Sequence, residues 1–147
     1  MLADKTESMI SEGLLHRQLS ESIIGCAMKV LNALKPGFSE KAYENALAVE
    51  LGRKGHQVER QKRFEVRYEG VVVDTLIPDL LIDNLVIADT KVVENFTPTH
   101  MAQMLGYLNV TRVELALLLN FKFADLRWQR VVNQGIHPRP SAKSAVS

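Results

Sequence analysis

The chain has 147 residues, 46% of them apolar and 24% charged, which suits one folded domain with a sizeable core and is too apolar for a disordered chain. A formal net charge of +1 gives no general attraction for nucleic acid; the single cysteine, Cys26, rules out an internal disulfide, and nothing resembles a zinc cluster. No apolar run is long enough to span a membrane, and Met1-Leu2-Ala3-Asp4-Lys5 lacks the apolar stretch of a signal peptide, so the expected location is cytoplasmic.

Apolar residues recur at helical spacing over 12–34, through Leu15, Leu19, Ile23, Ala27, Val30 and Leu34. Pro36-Gly37 ends that helix, and Ser39 is placed to cap a second one over 39–54, with Gly55 as its stop. Short β-type segments follow at 58–61 and 64–68, a turn at Glu69-Gly70, and a further strand over 71–75 that continues the meander. The segment 77–91 reads as two hydrophobic strands joined by an Asp83-Asn84-Leu85 turn. Thr97-Pro98 opens a third helix with Met101, Met104, Leu105 and Leu108 as its apolar stripe. The near-continuous apolar run 113–121 has the pattern of a strand covered on both faces, and 128–132 that of a last edge strand. The chain therefore divides into an extension over 1–11, one domain over 12–134, and a tail over 135–147 whose composition reads as disordered. The order of elements predicts an α/β sandwich around a mixed sheet.

Charged residues inside the apolar ribbon 77–91 need a reason, because burying them is costly without compensation. Strand alternation puts Asp89 and Lys91 on one face, and the Asp83-Asn84-Leu85 turn places Asp79 directly across from Asp89. Two facing carboxylates repel, and a hard divalent cation such as Mg²⁺ reverses that sign. Taken singly, Asp79 reads as a turn residue, Asp89 as an ion-pair partner and Lys91 as a strand-end lysine reaching solvent. On the second helix, Glu40 continues the line of Tyr43, Leu47 and Leu51 one turn earlier; the helix dipole alone also favours an acid there. On the third, His100, Gln103 and Tyr107 form a polar strip that by periodicity is an exposed face. Arg53, Lys54, Arg60, Lys62, Arg63 and Arg67 crowd one stretch among glutamates. A solvated helix end and strand face explains that run better than a phosphate-facing patch.

Asp79 followed by Asp89-x-Lys91, with a literal Pro78-Asp79, resembles the signature of the PD-(D/E)XK nuclease superfamily. Gly37-Phe38-Ser39-Glu40-Lys41-Ala42-Tyr43 is similar to the motif of its GxxExxY branch, as are Tyr43-Glu44-Asn45-Ala46-Leu47, Val58-Glu59-Arg60-Gln61, Thr97-Pro98-Thr99-His100 with Gln103 and Tyr107-Leu108, and Leu119-Asn120-Phe121. The resemblance implies a restriction-endonuclease-like core, a mixed sheet flanked by helices, that cleaves nucleic acid with Mg²⁺ or Mn²⁺. It implies that Asp79, Asp89 and the Thr90 carbonyl hold the metal with support from Glu40. It also implies that Lys91 activates the attacking water and steadies phosphate charge, and that Gln103 completes the site. Two positions depart from the family pattern: Asp89 where most members carry glutamate, shorter by ~1.5 Å, and Gly106 where asparagine is common.

Two rival functions follow from the same residues. One is a non-catalytic nucleic-acid-binding or partner-regulating protein on a nuclease-like scaffold. The other is a metal-free ion-pair cluster in which Lys91 bridges Asp79 and Asp89. The sequence implies no organic cofactor and no membrane partner, and a domain of this size cuts both strands at once only as a homodimer.

Overall fold

The computed structural model describes residues 16–133. The expected extension over 1–11, the tail over 135–147 and the start of the first helix lie outside the described residues. Helix α1 (Arg17–Leu34) ends where Pro36 and Gly37 interrupt its pattern, and the Ser39 side chain then caps α2 (Glu40–Arg53) by accepting the Ala42 N–H. β1 (Val58–Arg60) is followed by β2 (Phe64–Tyr68), β3 (Val71–Leu76), β4 (Leu80–Ile82) and β5 (Val86–Lys91). Thr97 and Pro98 start α3 (Pro98–Thr111) as their order predicts, and β6 (Leu115–Asn120) and β7 (Arg127–Val132) complete the described chain.

The main sheet has the order β1-β4-β5-β6-β7. β5 and β6 run parallel with α3 as their crossover, and the other neighbouring pairs are antiparallel, which gives the expected mixed sheet between helices. Alternation sorts the side chains. Leu80, Ile82, Val86, Ala88, Leu117 and Leu119 meet α1 and α2 on one face; Leu81, Ile87, Ala116 and Leu118 meet α3 on the other. β6 is buried along its whole length, the reason its sequence is apolar without alternation.

The strands over 58–76 do not form one continuous meander. β1 pairs with β4, Val58 opposite Ile82, while β2 and β3 make a separate two-stranded sheet. Burial accounts for the difference. Val58 packs on the core, whereas the hairpin contributes only Phe64 and Leu76 at its base and leaves Tyr68, Val71 and Val73 exposed.

The ribbon turn forms as its residues dictate. Asp83 and Asn84 take positive φ (53° and 58°), and the Leu85 N–H donates to the Ile82 carbonyl. His56 pins this turn to α1: its Nδ1 meets Asp83 Oδ2 at 2.7 Å and its Nε2 meets Ser22 Oγ at 2.8 Å. Gln57 and Asp83 add two further bonds, N–H to Oδ1 at 2.7 Å and N–H to carbonyl at 2.8 Å. Although Ser22, His56 and Asp83 mimic a hydrolytic triad, Ser22 lies inside α1, where backbone N–H groups are already bonded within the helix and cannot stabilise an oxyanion.

Tyr43, fully buried, joins α2 to the loop before it. Its hydroxyl donates to the Lys35 carbonyl at 2.6 Å and accepts the Phe38 N–H at 3.2 Å, while its ring stacks on Phe121 at 4.7 Å between centroids. Tyr43→Phe keeps the stacking and orphans both backbone groups. The expected loss is about 1 kcal/mol, the low end for partly buried groups left unpaired, measurable as a lower urea midpoint with unchanged slope.

Candidate active site

The register of the ribbon places the two acids. Leu80 faces Ala88 in the β4–β5 ladder, and one step outward Asp79 faces Asp89 across the ribbon's open end. There the ladder stops, and the Asp79 side chain replaces it: Oδ2 accepts the Thr90 N–H at 3.0 Å and the Thr90 hydroxyl at 3.2 Å. The Asp79 carbonyl accepts the Gln61 N–H at 3.1 Å from the end of β1. Pro78, itself buried, precedes it.

Asp89 and Lys91 project toward α3, as alternation requires. Lys91 Nζ lies 2.9 Å from Asp89 Oδ2 and 3.4 Å from Gln103 Oε1, and Gln103 Nε2 donates to the Tyr107 hydroxyl at 3.1 Å. Gln103 and Tyr107 thus join the acids from the next helix. His100, on the same strip, does not: its Nδ1 accepts the Thr97 N–H in a capping box at the start of α3. Lys91 pairs with Asp89 and not with Asp79, so it does not bridge the two acids as an ion-pair cluster requires.

Asp89 is buried, and its ionisation shows what the pocket does to a charge. Burial first, then the facing charge of Asp79, push its carboxyl up to about 7, against the opposing pull of Lys91. Asp79 is likewise raised, chiefly by burial, with the negative charge of Glu44 adding to it. Burial and both acids together raise the Tyr107 hydroxyl to about 12, so Tyr107 is a neutral hydrogen-bonding group at ordinary pH.

Glu40 reaches the same strand end differently. Its carboxylate accepts the Val92 N–H at 3.0 Å, and its carbonyl accepts the Thr90 hydroxyl at 3.4 Å, docking the first turn of α2 on the end of β5. Asn120 holds the chain beyond Lys91. It is 1% exposed, and its amide donates to the Val93 carbonyl at 2.8 Å while accepting the Val93 N–H at 3.2 Å. Among the described residues, no three His, Cys, Asp or Glu side chains converge closely enough to hold a metal together. Asp79 and Asp89 form a pair of hard oxygen donors, which is the donor chemistry Mg²⁺ and Mn²⁺ prefer.

Glu44 is the site neighbour that periodicity could have revealed. It follows Glu40 by one turn on the line that runs to Leu47 and Leu51, and it is buried. The basic run, by contrast, disperses: Lys62 pairs with Glu59, Arg67 with Glu65, and Arg53 and Lys54 close α2.

Among the described residues no helix is long and apolar enough to cross a membrane. The crystal structure of an alkaline exonuclease from Laribacter hongkongensis is similar over 74% of this chain and 77% of its own, at 12% identity and a TM-score of 0.46. No curated protein matches the chain significantly. A sequence model of the PD-(D/E)XK nuclease superfamily matches residues 17–131, the stretch that holds the ribbon, the acids, Lys91 and α3. By that match the chain belongs to the PD-(D/E)XK nuclease superfamily.

Proposed function

We propose that the chain is a divalent-metal-dependent nuclease that hydrolyses phosphodiester bonds in nucleic acid. The observation that carries this reading is the facing pair Asp79 and Asp89, both raised in pKa by burial, with the Lys91 ammonium 2.9 Å from the second. A pocket that resists two negative charges gains when a cation neutralises them. Asp79, Asp89 and the Thr90 carbonyl are the proposed ligands for Mg²⁺ or Mn²⁺. In a strand, the carbonyl leaves from the same edge as its own N–H, and the Thr90 N–H points to Asp79. Glu40 supports the site from beyond the strand end, where its carboxylate fixes the segment after Lys91.

When bound, the cation supplies Lewis-acid polarisation of the phosphate and a water easier to deprotonate. The chain's own groups do the rest. Lys91 donates to the phosphate oxygens as negative charge develops on them, aimed by Asp89 and Gln103. The Tyr107 hydroxyl, by accepting from Gln103 Nε2, fixes that amide so that its oxygen faces Lys91.

The test is cleavage of labelled single- and double-stranded DNA and RNA with Mg²⁺ or Mn²⁺, run beside Asp79→Ala. Metal-requiring cleavage that disappears in the variant is the expected result. Cleavage that persists in chelator, or in Asp79→Ala, would refute the assignment. Failure to cleave any substrate and to bind either cation would instead favour the non-catalytic scaffold.

A further inference from the structure

Glu44 is 3% exposed and none of the proposed chemistry uses it. Its carboxylate accepts from Gln61 Nε2 at 2.8 Å, and Lys41 Nζ and Arg60 Nη2 pair with it at 3.3 and 3.5 Å. The same Gln61 bonds the Asp79 carbonyl through its own N–H, so this cluster is tied to the backbone of the first acid. A buried carboxylate is tolerable only when paired, and Glu44 thereby fixes where two cations sit. Neither cation is used up in doing so. The Lys41 and Arg60 side chains are 59% and 42% exposed. Arg60 gives only Nη2 to Glu44 and Asn45, leaving its other N–H groups unpaired among the described residues. Lys41 also projects from the first turn of α2, whose positive dipole end is docked against the end of β5.

We infer that Arg60 and Lys41 grip the phosphate backbone of a nucleic acid on the α2 side of the acids, opposite Lys91. The inference rests on the nuclease reading and adds to it the path of the substrate. A strand held between Lys91 on one side and Arg60 with Lys41 on the other crosses the open end of the ribbon, where Asp79 faces Asp89. Glu44 keeps the two cations in place without cancelling their exposed N–H groups.

Equilibrium binding of labelled single- and double-stranded DNA and RNA, titrated with monovalent salt in chelator, tests it. The carrier is the full chain with Asp79→Asn, to prevent cleavage, alone and with Arg60→Gln, Lys41→Gln or, as a control, Lys62→Gln. Each phosphate contact contributes ~0.9 to the log–log salt slope on duplex DNA and ~0.7 on single strands, or ~8-fold and ~5-fold in affinity at 0.1 M salt. Arg60→Gln and Lys41→Gln are each expected to weaken binding and flatten the slope by one such contact, with Lys62→Gln unchanged. Each also lowers the melting temperature by leaving the buried Glu44 one cation short, so binding is read well below the lowest midpoint, where every variant is folded. The strand type showing the full effect identifies the substrate class. Unchanged slopes in both variants would overturn the inference, leaving the two cations as counter-ions of Glu44. An equal loss from Lys62→Gln would overturn it as well, since any surface charge would then do. A carrier that binds none of the nucleic acids also overturns it, whereas failure of the nuclease reading appears separately, in the cleavage assay on the unaltered chain.

Discussion

Lys91→Ala is expected to lower the cleavage rate by about 10²–10³-fold, the usual cost of removing one preorganised donor to a developing oxyanion, while cation binding survives. The two effects separate because the lysine occupies a different position from the acids. It touches Asp89 Oδ2 and Gln103, not Asp79, and its side chain is 14% exposed. Truncation leaves both carboxylates in place and removes a competing positive charge from Asp89. Affinity for Mg²⁺ or Mn²⁺ should therefore hold or tighten as the rate falls. Single-turnover rates and cation titrations on the same preparation read the two quantities. A Lys91→Ala protein that cleaves as fast as the parent would remove the lysine from the chemistry.

Asp79→Asn should make the metal-free protein more stable and abolish the proposed cleavage. Asparagine keeps the volume and an oxygen for the Thr90 N–H, and removes one of two facing charges. Both carboxyls titrate above their ordinary values in the folded state, so the folded parent holds protons that the unfolded chain releases. Stability from such groups is complete below the unfolded pKa and is lost as pH rises through the folded one. The advantage of Asp79→Asn over the parent in chelator should therefore be small near pH 4 and grow until the pH passes the Asp89 value of about 7. A gain of roughly 1 kcal/mol at the plateau corresponds to ~2–4 °C in melting temperature for a domain of this size. Added Mg²⁺ should reverse the order, raising the parent's melting temperature and leaving the variant's nearly fixed. A variant that melts below the parent in chelator at neutral pH would show that the facing charge of Asp79 adds nothing to what burial does to Asp89.

Much of this arrangement is legible in the sequence because it is local. The Asp-Asn turn, the two-residue period of Asp89 and Lys91, and the Thr97-Pro98 start of α3 each depend on neighbours within a few positions. The crossing of Asp79 and Asp89 followed from turn length alone. What escaped reading depends on partners far along the chain. β1 could not be seen to abandon β2 for β4, since the decision rests on which strand offers Val58 a core to pack against. His100 and Gln103 share a strip by periodicity, and only the capping geometry at Thr97 separates their tasks. Periodicity puts Glu44 on the buried line of α2 but does not name its partners, because the cations that let it be buried are contributed partly by β1, beyond the end of its own helix.

The ribbon turn has a bearing on how such a chain can vary. Asp83, Asn84 and the His56 pin sit at the far end of β4 and β5 from the acids and touch none of them. Yet the number of residues between Ile82 and Val86 decides which residue stands opposite Asp89. One residue more or fewer would turn alternate side chains to the wrong face and put Pro78 or Leu80 where Asp79 stands. Substitutions in this turn are graded in their effect; insertions and deletions are all or none. Descendants of this chain can therefore be expected to drift in the identity of the turn residues long before they drift in its length.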